Sequence, residues 1–345
     1  MDASLFEYDL PRDLIAQEPA EPRDASRLLV VNRARGSWED WRFGDLLRLL
    51  RPGDCLVANQ SKVIPARLPA TLEADGRPVE LLMLRSLGGT RWEALVRPGR
   101  RCRAGARVLV AAGAARATVV AQADAGMRIL DLDAPWPARE LLERYGLPPL
   151  PPYIARHDAP KPEDRHRYQT VYASHEGSVA APTAGLHFTP ELIERLRERG
   201  VEFHHLTLHV GLGTFRPLRV LQVEAHRMAQ EEVEIPAETA DAVNRARAEG
   251  RRVIAVGTTT TRALEWASSA RGRVRAGRGA ADLYIYPGYS FKAIDGLITN
   301  FHLPRSTLLL LVSAFCGREL LLAAYRHAVA ARYRFYSYGD AMLIT

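Results

Sequence analysis

Between about Arg67 and Asp133 the apolar positions come in short bursts separated by turn residues. The bursts are Leu68–Leu72, Val79–Leu84, Trp92–Val96, Ala106–Val110, Ala117–Ala121 and Met127–Leu132. The turns between them carry Asp75-Gly76, Gly88-Gly89, Pro98-Gly99, Ala104-Gly105 and Ala125-Gly126. Helical periodicity is missing from this region, so the pattern predicts six short strands forming a small barrel or sandwich. The proline-rich run Pro148-Pro149-Leu150-Pro151-Pro152 then reads as a stiff connector that ends the unit.

On either side the period changes. Pro190–Arg199 carries Leu192, Ile193 and Leu196 on one helical face and stops at Gly200. Val201–Val210 alternates, with Leu206, Leu208 and Val210 on one face and His205, Thr207 and His209 on the other. A helix is predicted over Ala237–Glu249, a strand over Val253–Val256 leading into a helix through Arg262–Trp266, and a further strand over Leu283–Tyr286. Upstream, Arg27–Val31 and Asp54–Ala58 read as strands and Phe43–Leu50 as a short helix. Alternating helices and strands indicate an α/β sheet. The expected fold class is therefore α/β. A discontinuous domain over residues 1–66 and 153–345 carries an inserted six-stranded β-barrel domain over 67–152.

Length and composition fit that division. The chain has 345 residues, 47% hydrophobic and 25% charged, enough for about two domains of an ordinary globular protein. A formal net charge of +7 favours an anionic partner, nucleic acid among them. Cys55, Cys102 and Cys316 are far apart and odd in number, which argues against a disulfide framework or a zinc site and favours a reducing cytoplasm. The first residues have neither a basic n-region nor an apolar h-region, so no signal peptide is expected. Leu308–Phe315 is too short to span a bilayer and reads as a buried helix, so no membrane is expected.

The candidate chemistry sits in three loops that combine small residues or proline with threonine and histidine. They are Ala180-Ala-Pro-Thr-Ala-Gly-Leu-His-Phe188, His209-Val-Gly-Leu-Gly-Thr-Phe215 and Thr299-Asn-Phe-His-Leu-Pro-Arg-Ser-Thr307. Gly257-Thr258-Thr259 and Asn59-Gln60-Ser61-Lys62 add two more turns at predicted strand ends, where open α/β sheets bind ligands. Glycine admits close backbone approach, and amides at a helix start can hold a carboxylate. Imidazole transfers protons near neutral pH, which singles out His187, His209 and His302, whereas His157 and His166 in a charged loop are expected to be solvated. The chain has no Gly-x-Gly-x-x-Gly opening its first helix, no Walker motif and no His-Glu-x-x-His. Standard nicotinamide, nucleoside-triphosphate and metallohydrolase chemistry is thereby disfavoured, and no metal is implied. Tyr284–Lys292 and Tyr333–Asp340 mix aromatic rings with glycine and charge, a combination suited to stacking on a base.

These segments, in this order, closely resemble the S-adenosylmethionine:tRNA ribosyltransferase-isomerase family of the queuosine pathway. The matching pieces run nearly end to end: Tyr8–Pro11, Arg23–Val30, Asp54–Asn59, Val63–Arg67, Tyr168–Ala173, Gly177–Thr189, His209–Phe215, Val256–Thr259, Pro287–Lys292, Thr299–Pro304 and Tyr336–Met342. The resemblance implies an α/β half-barrel carrying a small distorted β-barrel. It implies transfer and isomerisation of the ribosyl part of S-adenosylmethionine onto 7-aminomethyl-7-deazaguanine at the tRNA wobble position, giving epoxyqueuosine-tRNA, adenine and methionine. S-adenosylmethionine would be a consumed cosubstrate with no permanently bound cofactor, the partner would be the anticodon arm of tRNA, and a monomer is favoured. The sulfonium acidifies the ribose C5′ hydrogens, so a base is needed, and His187 or His302 is expected to supply it, with Asp340 the second candidate. Gly211, Gly213, Thr258 and Thr259 are expected to line the cosubstrate pocket, and Tyr289, Phe291 and Lys292 to meet adenine or the flipped-out base. Arg23, Arg27, Asn59, Lys62, Arg67, Thr183, Gly185, His209, Thr214 and Asn300 complete the expected substrate-binding set.

The chain departs from the family pattern in places. Ser61-Lys62 stands where the family has Thr-Arg, keeping the charge but losing the bidentate fork. Ala229 replaces the second histidine of a His-x-Met-His-x-Glu motif that begins at His226, and Trp266 stands where serine is common. Competing readings are a methyltransferase acting on RNA, which would leave S-adenosylhomocysteine, a small-molecule lyase, and a non-catalytic RNA-binding protein.

Overall fold

The structure, a computed structural model, describes residues 1–123, 126–156, 161–211, 218 and 220–345. The first segment supplies β1 (Arg27–Asn32), β2 (Ser37–Arg42), α1 (Leu46–Leu49), β3 (Cys55–Asn59) and the short β4 (Ser61–Val63). The barrel strands follow: β5 (Arg67–Leu72), β6 (Pro78–Gly88), β7 (Arg91–Arg97), β8 (Arg107–Val110), β9 (Ala115–Gln122) and β10 (Met127–Asp133). They close in the order β10-β7-β6-β5-β8-β9, every pair antiparallel. Closure leaves no free edge. Alternate residues such as Leu68, Leu81, Val96, Val108 and Leu130 fill the interior, which is why the period-2 bursts were visible in the sequence. Helix α2 (Ala138–Tyr145) leads out of the barrel.

The chain enters and leaves the barrel side by side. Arg67 and Leu147 exchange backbone hydrogen bonds of 3.2 and 2.8 Å. A Cβ on Gly146 would lie 1.9 Å from the Pro65 carbonyl oxygen, so this crossing tolerates only glycine.

The returning chain forms α3 (Asp164–Arg167), β11 (His175–Ser178), α4 (Pro190–Glu198), β12 (Glu202–Leu208), β13 (Glu231–Ile235), α5 (Ala237–Ala248), β14 (Val253–Val256) and α6 (Thr258–Ala267). It ends with β15 (Gly277–Ala281), β16 (Gly296–Asn300), α7 (Thr307–Cys316), α8 (Arg318–Ala330) and β17 (Ala341–Ile344). Nine strands form one sheet in the order β15-β13-β12-β3-β14-β16-β17-β1-β2. Its centre, β12-β3-β14-β16, is parallel. Strands β3, β14 and β16 are buried at every position, as expected for parallel strands covered on both faces. Leu56 and Ala58 pack with Leu46, Leu192 and Leu196 on one side. Cys55 and Val57 pack with Val243, Leu264 and Leu310 on the other.

Three local expectations change. Leu283–Tyr286 is not a strand; the edge strand is β15, five residues with two glycines, which pairs with β13. Leu283–Tyr286 instead lays its side chains on the core, with Ile285 buried and the Tyr284 hydroxyl donating to the Val223 carbonyl at 3.1 Å. The helix expected over Phe43–Leu50 is a 3-10 turn, Phe43–Asp45, followed by α1. Strand β2, polar and largely exposed, carried no apolar alternation to reveal it. Among the described residues no single helix is long and apolar enough to cross a membrane; α7 and α8 would qualify only together, and they are bent by 113° at their junction.

Candidate active site at the carboxyl edge of the sheet

Because β12, β3, β14 and β16 are parallel, their carboxyl ends reach one edge. Strand β17 runs antiparallel to β16, and β1 runs parallel to β17. The residues that precede β17 and β1, Asp340 and Ser26, therefore arrive at that same edge, with Ala341 paired to both Asn300 and Leu28. The 3-10 turn Thr183–His187 packs onto β16. Gly185 makes that fit possible: a Cβ there would lie 2.1 Å from the Tyr172 hydroxyl and 2.8 Å from the Thr170 methyl.

His187 is 4% exposed and lies between two chain-distant partners. Its Nδ1 is 2.8 Å from Ser26 Oγ, and Asn300 Nδ2 is 3.1 Å from its Nε2. Asn300 Nδ2 also donates to the Tyr336 carbonyl at 3.2 Å, which fixes the amide orientation. The imidazole Nε2 is thus an acceptor, and Nδ1–H donates to Ser26. The ring stacks on Phe43 at 4.9 Å. Burial, with Arg334 and Arg23 nearby, pulls its pKa down to about 3, so it is neutral. Both ring nitrogens are occupied, and the ring holds the Asn300 amide in place.

His302 is placed differently. Its Nε2 is 2.7 Å from Thr299 Oγ1. Its backbone is pinned by the Tyr325 hydroxyl, which accepts from the amide at 2.9 Å, and by Tyr8, whose hydroxyl donates to the carbonyl. Its Nδ1 has no partner among the described residues. Burial lowers its pKa to about 3 as well, keeping it in the proton-accepting form. His302, Asn300, Thr183 and Leu308 line two adjoining small pockets. One of these also takes in Gly257, Thr258 and Thr259, the other Tyr153, Ser306, Tyr336 and Ser337. Asn300 is 2% exposed, and its Oδ1 accepts no hydrogen bond from the described residues.

Other expected site residues are bonded within the fold. Asp340 accepts from the Arg27 amide at 2.9 Å and the Arg334 amide at 2.8 Å, which ties β1 to the turn before β17 and leaves neither oxygen free. Arg27 lies over the Tyr333 ring at 3.6 Å and donates to the Ala331 carbonyl. Arg23 donates to the carbonyls of Gln169, Leu186 and His166, and burial lowers its pKa. Asn59 bridges β3 to β12, with Nδ2 donating to the Leu208 carbonyl and Oδ1 accepting from the Leu208 amide. Lys62 pairs with Glu176 at 2.9 Å.

A groove of about 460 Å³ runs between barrel and sheet, lined by the Arg67–Glu80 ion pair, Arg97, Pro149–Pro152, Ala180 and Gly211. The amide of Gly211 donates to Glu231 Oε1 at 2.9 Å, and Glu231 forms a buried ion pair with Arg262. His209 packs against Gly177 and faces a separate cleft beside β13 and β15. Gly213, Thr214 and His157 lie outside the described residues.

Tyr289, Phe291 and Lys292 are not brought to this edge. They precede β16, so they sit at its amino end, where the Tyr289 hydroxyl and the Lys292 amide donate to Glu265 near the carboxyl end of α6. Phe291 packs on Phe315. Within Tyr284–Lys292, the segment suited to base stacking by its composition, Tyr289 and the Lys292 backbone are tied to Glu265 instead. Cys55, Glu202 and His204 place three potential metal donors within 4.8 Å. That carboxylate is held by Arg251 and Arg245, and burial pushes the thiol up to about 12, so this set is poorly suited to a metal.

Sequence reasoning caught Ser26, Ser306 and Tyr336 only as members of longer segments and missed Tyr153. Ser306 caps α7, accepting from the Leu309 amide at 3.2 Å, as a serine opening an apolar run does.

Comparison with known proteins adds identity to this geometry. The sequence profile of a family described as queuosine biosynthesis protein matches residues 3–344. The S-adenosylmethionine:tRNA ribosyltransferase-isomerase of Symbiobacterium thermophilum is 54% identical over 344 residues, spanning 100% of both chains. That of Moorella thermoacetica is 56% identical over 342 residues, 98% of each. A crystal structure of S-adenosylmethionine tRNA ribosyltransferase from Thermotoga maritima, 39% identical, covers 99% of this chain and 100% of its own, with a TM-score of 0.57.

Proposed function

This chain belongs to the queuosine biosynthesis protein family, and from that premise we infer that it is an S-adenosylmethionine:tRNA ribosyltransferase-isomerase, a transferase of tRNA modification. It transfers and isomerises the ribosyl moiety of S-adenosylmethionine onto 7-aminomethyl-7-deazaguanine of tRNA, releasing adenine and methionine. The observation that carries the assignment to this site is the convergence of the Thr183, Gly257–Thr259 and Thr299–His302 loops on one pocket at the carboxyl edge.

In this reading His302 is the base. Its Nδ1 takes a proton from ribose C5′, whose acidity the adjacent sulfonium raises. The N-glycosidic bond then breaks and adenine leaves with a proton. The aminomethyl nitrogen attacks, and the carbon–sulfur bond breaks to release methionine as the epoxide closes. Geometry supports this role, since Nδ1 is without a partner among the described residues and the ring lines the pocket; burial keeps the ring neutral but lowers its basicity, so the role requires bound cosubstrate to raise it. His187 and Asp340 position groups around it. S-adenosylmethionine is consumed, and no permanently bound cofactor takes part. The tRNA anticodon arm docks across the groove beside the barrel. Arg97 lines that groove, and Arg100, Arg101 and Arg103 follow it in the chain after β7; all four are exposed and without ion pairs among the described residues, and offer its phosphates a contact. A cytoplasmic location follows from that substrate.

The test is a product assay with S-adenosylmethionine and tRNA carrying the aminomethyl-deazaguanine base. Free adenine, free methionine and an epoxide-bearing nucleoside are expected in equal amounts. S-adenosylhomocysteine would make the protein a methyltransferase, and tight tRNA binding without product would make it a binding protein.

A further inference from the structure

Arg128, on β10, is 7% exposed, and among the described residues its guanidinium donates only to carbonyl oxygens. Nε donates to Cys102 at 2.9 Å and Nη2 to Gly99 at 3.0 Å. Nη1 donates to Gly126 at 2.9 Å and to Met127 at 3.0 Å. The first two acceptors bracket the 3-10 turn that follows β7, Gly99–Arg101, and the Cys102 amide closes that turn on Gly99 at 3.2 Å. The Cys102 side chain is fully buried in the barrel interior, while Arg100, Arg101 and Arg103 around it are exposed. The turn is thus held from inside the barrel and by Arg128, and its arginines face water.

Taking a guanidinium out of water is costly unless a countercharge offsets it. Elsewhere on the barrel Arg67, Arg85 and Arg116 are paired with Glu80, Glu93 and Glu73. Among the described residues Arg97, Arg100, Arg101, Arg103 and Arg128 have no carboxylate partner. One end of the barrel therefore gathers five cations without an acid, which suits a polyanion. The turn starts just after Arg97, which lines the groove of about 460 Å³ between barrel and sheet. That groove reaches Ala180, the first residue of the loop that carries Thr183 and His187, and so joins the basic turn to the carboxyl edge.

We propose that the Pro98–Arg103 turn is a preformed contact for the phosphate backbone of tRNA, with Arg128 as its positioning residue. This contact rests on the tRNA substrate inferred above; it adds what holds the basic segment in shape. Arg128 touches no nucleotide. It fixes the spacing of Arg100, Arg101 and Arg103, so that less ordering entropy is lost when they meet phosphates.

The experiment measures the affinity of tRNA for the full chain across a salt series. The proteins are the wild type, Arg128→Gln, the triple variant Arg100→Ala, Arg101→Ala and Arg103→Ala, and all four changes combined. Glutamine removes the charge and the fork that reaches four carbonyls. Arg128→Gln is expected to weaken tRNA binding several-fold and to flatten the log–log salt slope by about 1. In the triple variant the same change is expected to alter affinity by less than about twofold, because its effect passes through arginines already removed. The urea midpoint is expected to fall equally in both backgrounds, as a purely structural effect would. No loss of tRNA affinity in Arg128→Gln, or an equal loss in both backgrounds, overturns the positioning role. A footprint of the wild type needs no variant: arginines are modified with phenylglyoxal with and without tRNA and read by mass spectrometry. tRNA is expected to protect Arg100, Arg101 and Arg103 and to leave Arg271 and Arg273, exposed on the turn after α6, reactive. Unchanged reactivity of the barrel arginines overturns the contact. Adenine release together with an unprotected turn would keep the proposed function while losing this contact; absence of adenine release removes the function itself.

Discussion

Replacing His187 with glutamine makes acid stability a direct reading of the buried ring. Glutamine can still accept from Asn300 Nδ2 while removing the titrating group. In the folded protein the ring resists protonation down to about pH 3, whereas in the unfolded chain it protonates near pH 6.5. The folded-state pKa is depressed, so its stabilising contribution is complete above pH 6.5 and is lost as pH falls from 6.5 toward 3. Within that window the unfolded state holds one more proton, a slope of about 1.4 kcal/mol per pH unit. Between pH 7.5 and 5 the wild type should therefore lose about 2 kcal/mol more than His187→Gln. His302 and His205, pulled down to about 3 and about 4, are present in both proteins and cancel in the difference. The lost Ser26 bond and Phe43 stack give an offset of about 1–2 kcal/mol that does not vary with pH. Urea unfolding at half-unit pH steps reads the quantity, about 1 M in midpoint at pH 5 for a slope of about 2 kcal/mol/M. A wild-type-minus-variant difference that stays flat from pH 7.5 to 5 would falsify the account of a buried, neutral His187. A difference that grows in favour of the wild type on acidification would mean the ring is held as imidazolium.

The same geometry sets further expectations. His302→Gln should lower adenine release by at least about 100-fold, the usual contribution of a general base, with little change in S-adenosylmethionine affinity; near-normal turnover would remove His302 from the chemistry. Gly185→Ala forces a methyl group onto the Tyr172 hydroxyl and should cost about 1–3 kcal/mol by overpacking, visible as a lower urea midpoint. Glu231→Gln leaves Arg262 as a buried cation facing a neutral amide and should destabilise by about 3 kcal/mol, read in the same assay. Arg100→Ala, Arg101→Ala and Arg103→Ala together should weaken tRNA binding and flatten its salt dependence by about 2 in log–log slope, with S-adenosylmethionine affinity unchanged; an unaltered slope would move the docking surface elsewhere.

How much was legible in the chain depended on the range of the interactions involved. Period-2 bursts and glycine turns revealed the barrel because strand alternation and turn conformation are local properties of neighbouring residues. The α/β rhythm and the loops bearing Thr183, Thr258 and His302 were visible for the same reason, as strand ends followed by helix starts. Partnership was not visible. His187 meets Ser26 and Asn300 across 161 and 113 residues of sequence, and only the order β16-β17-β1 brings the three together. That order also gives both Asp340 oxygens backbone-amide partners, from Arg27 and Arg334. Tyr289 and Lys292 looked as chemical as His302, yet they precede β16 where His302 follows it, and a five-residue strand separates the two edges. Sequence by itself determined which residues could do chemistry and where the chain turns. The tertiary structure decided which of them share a pocket and which keep a free lone pair, since strand order and burial are set by contacts between segments that carry no local mark of one another.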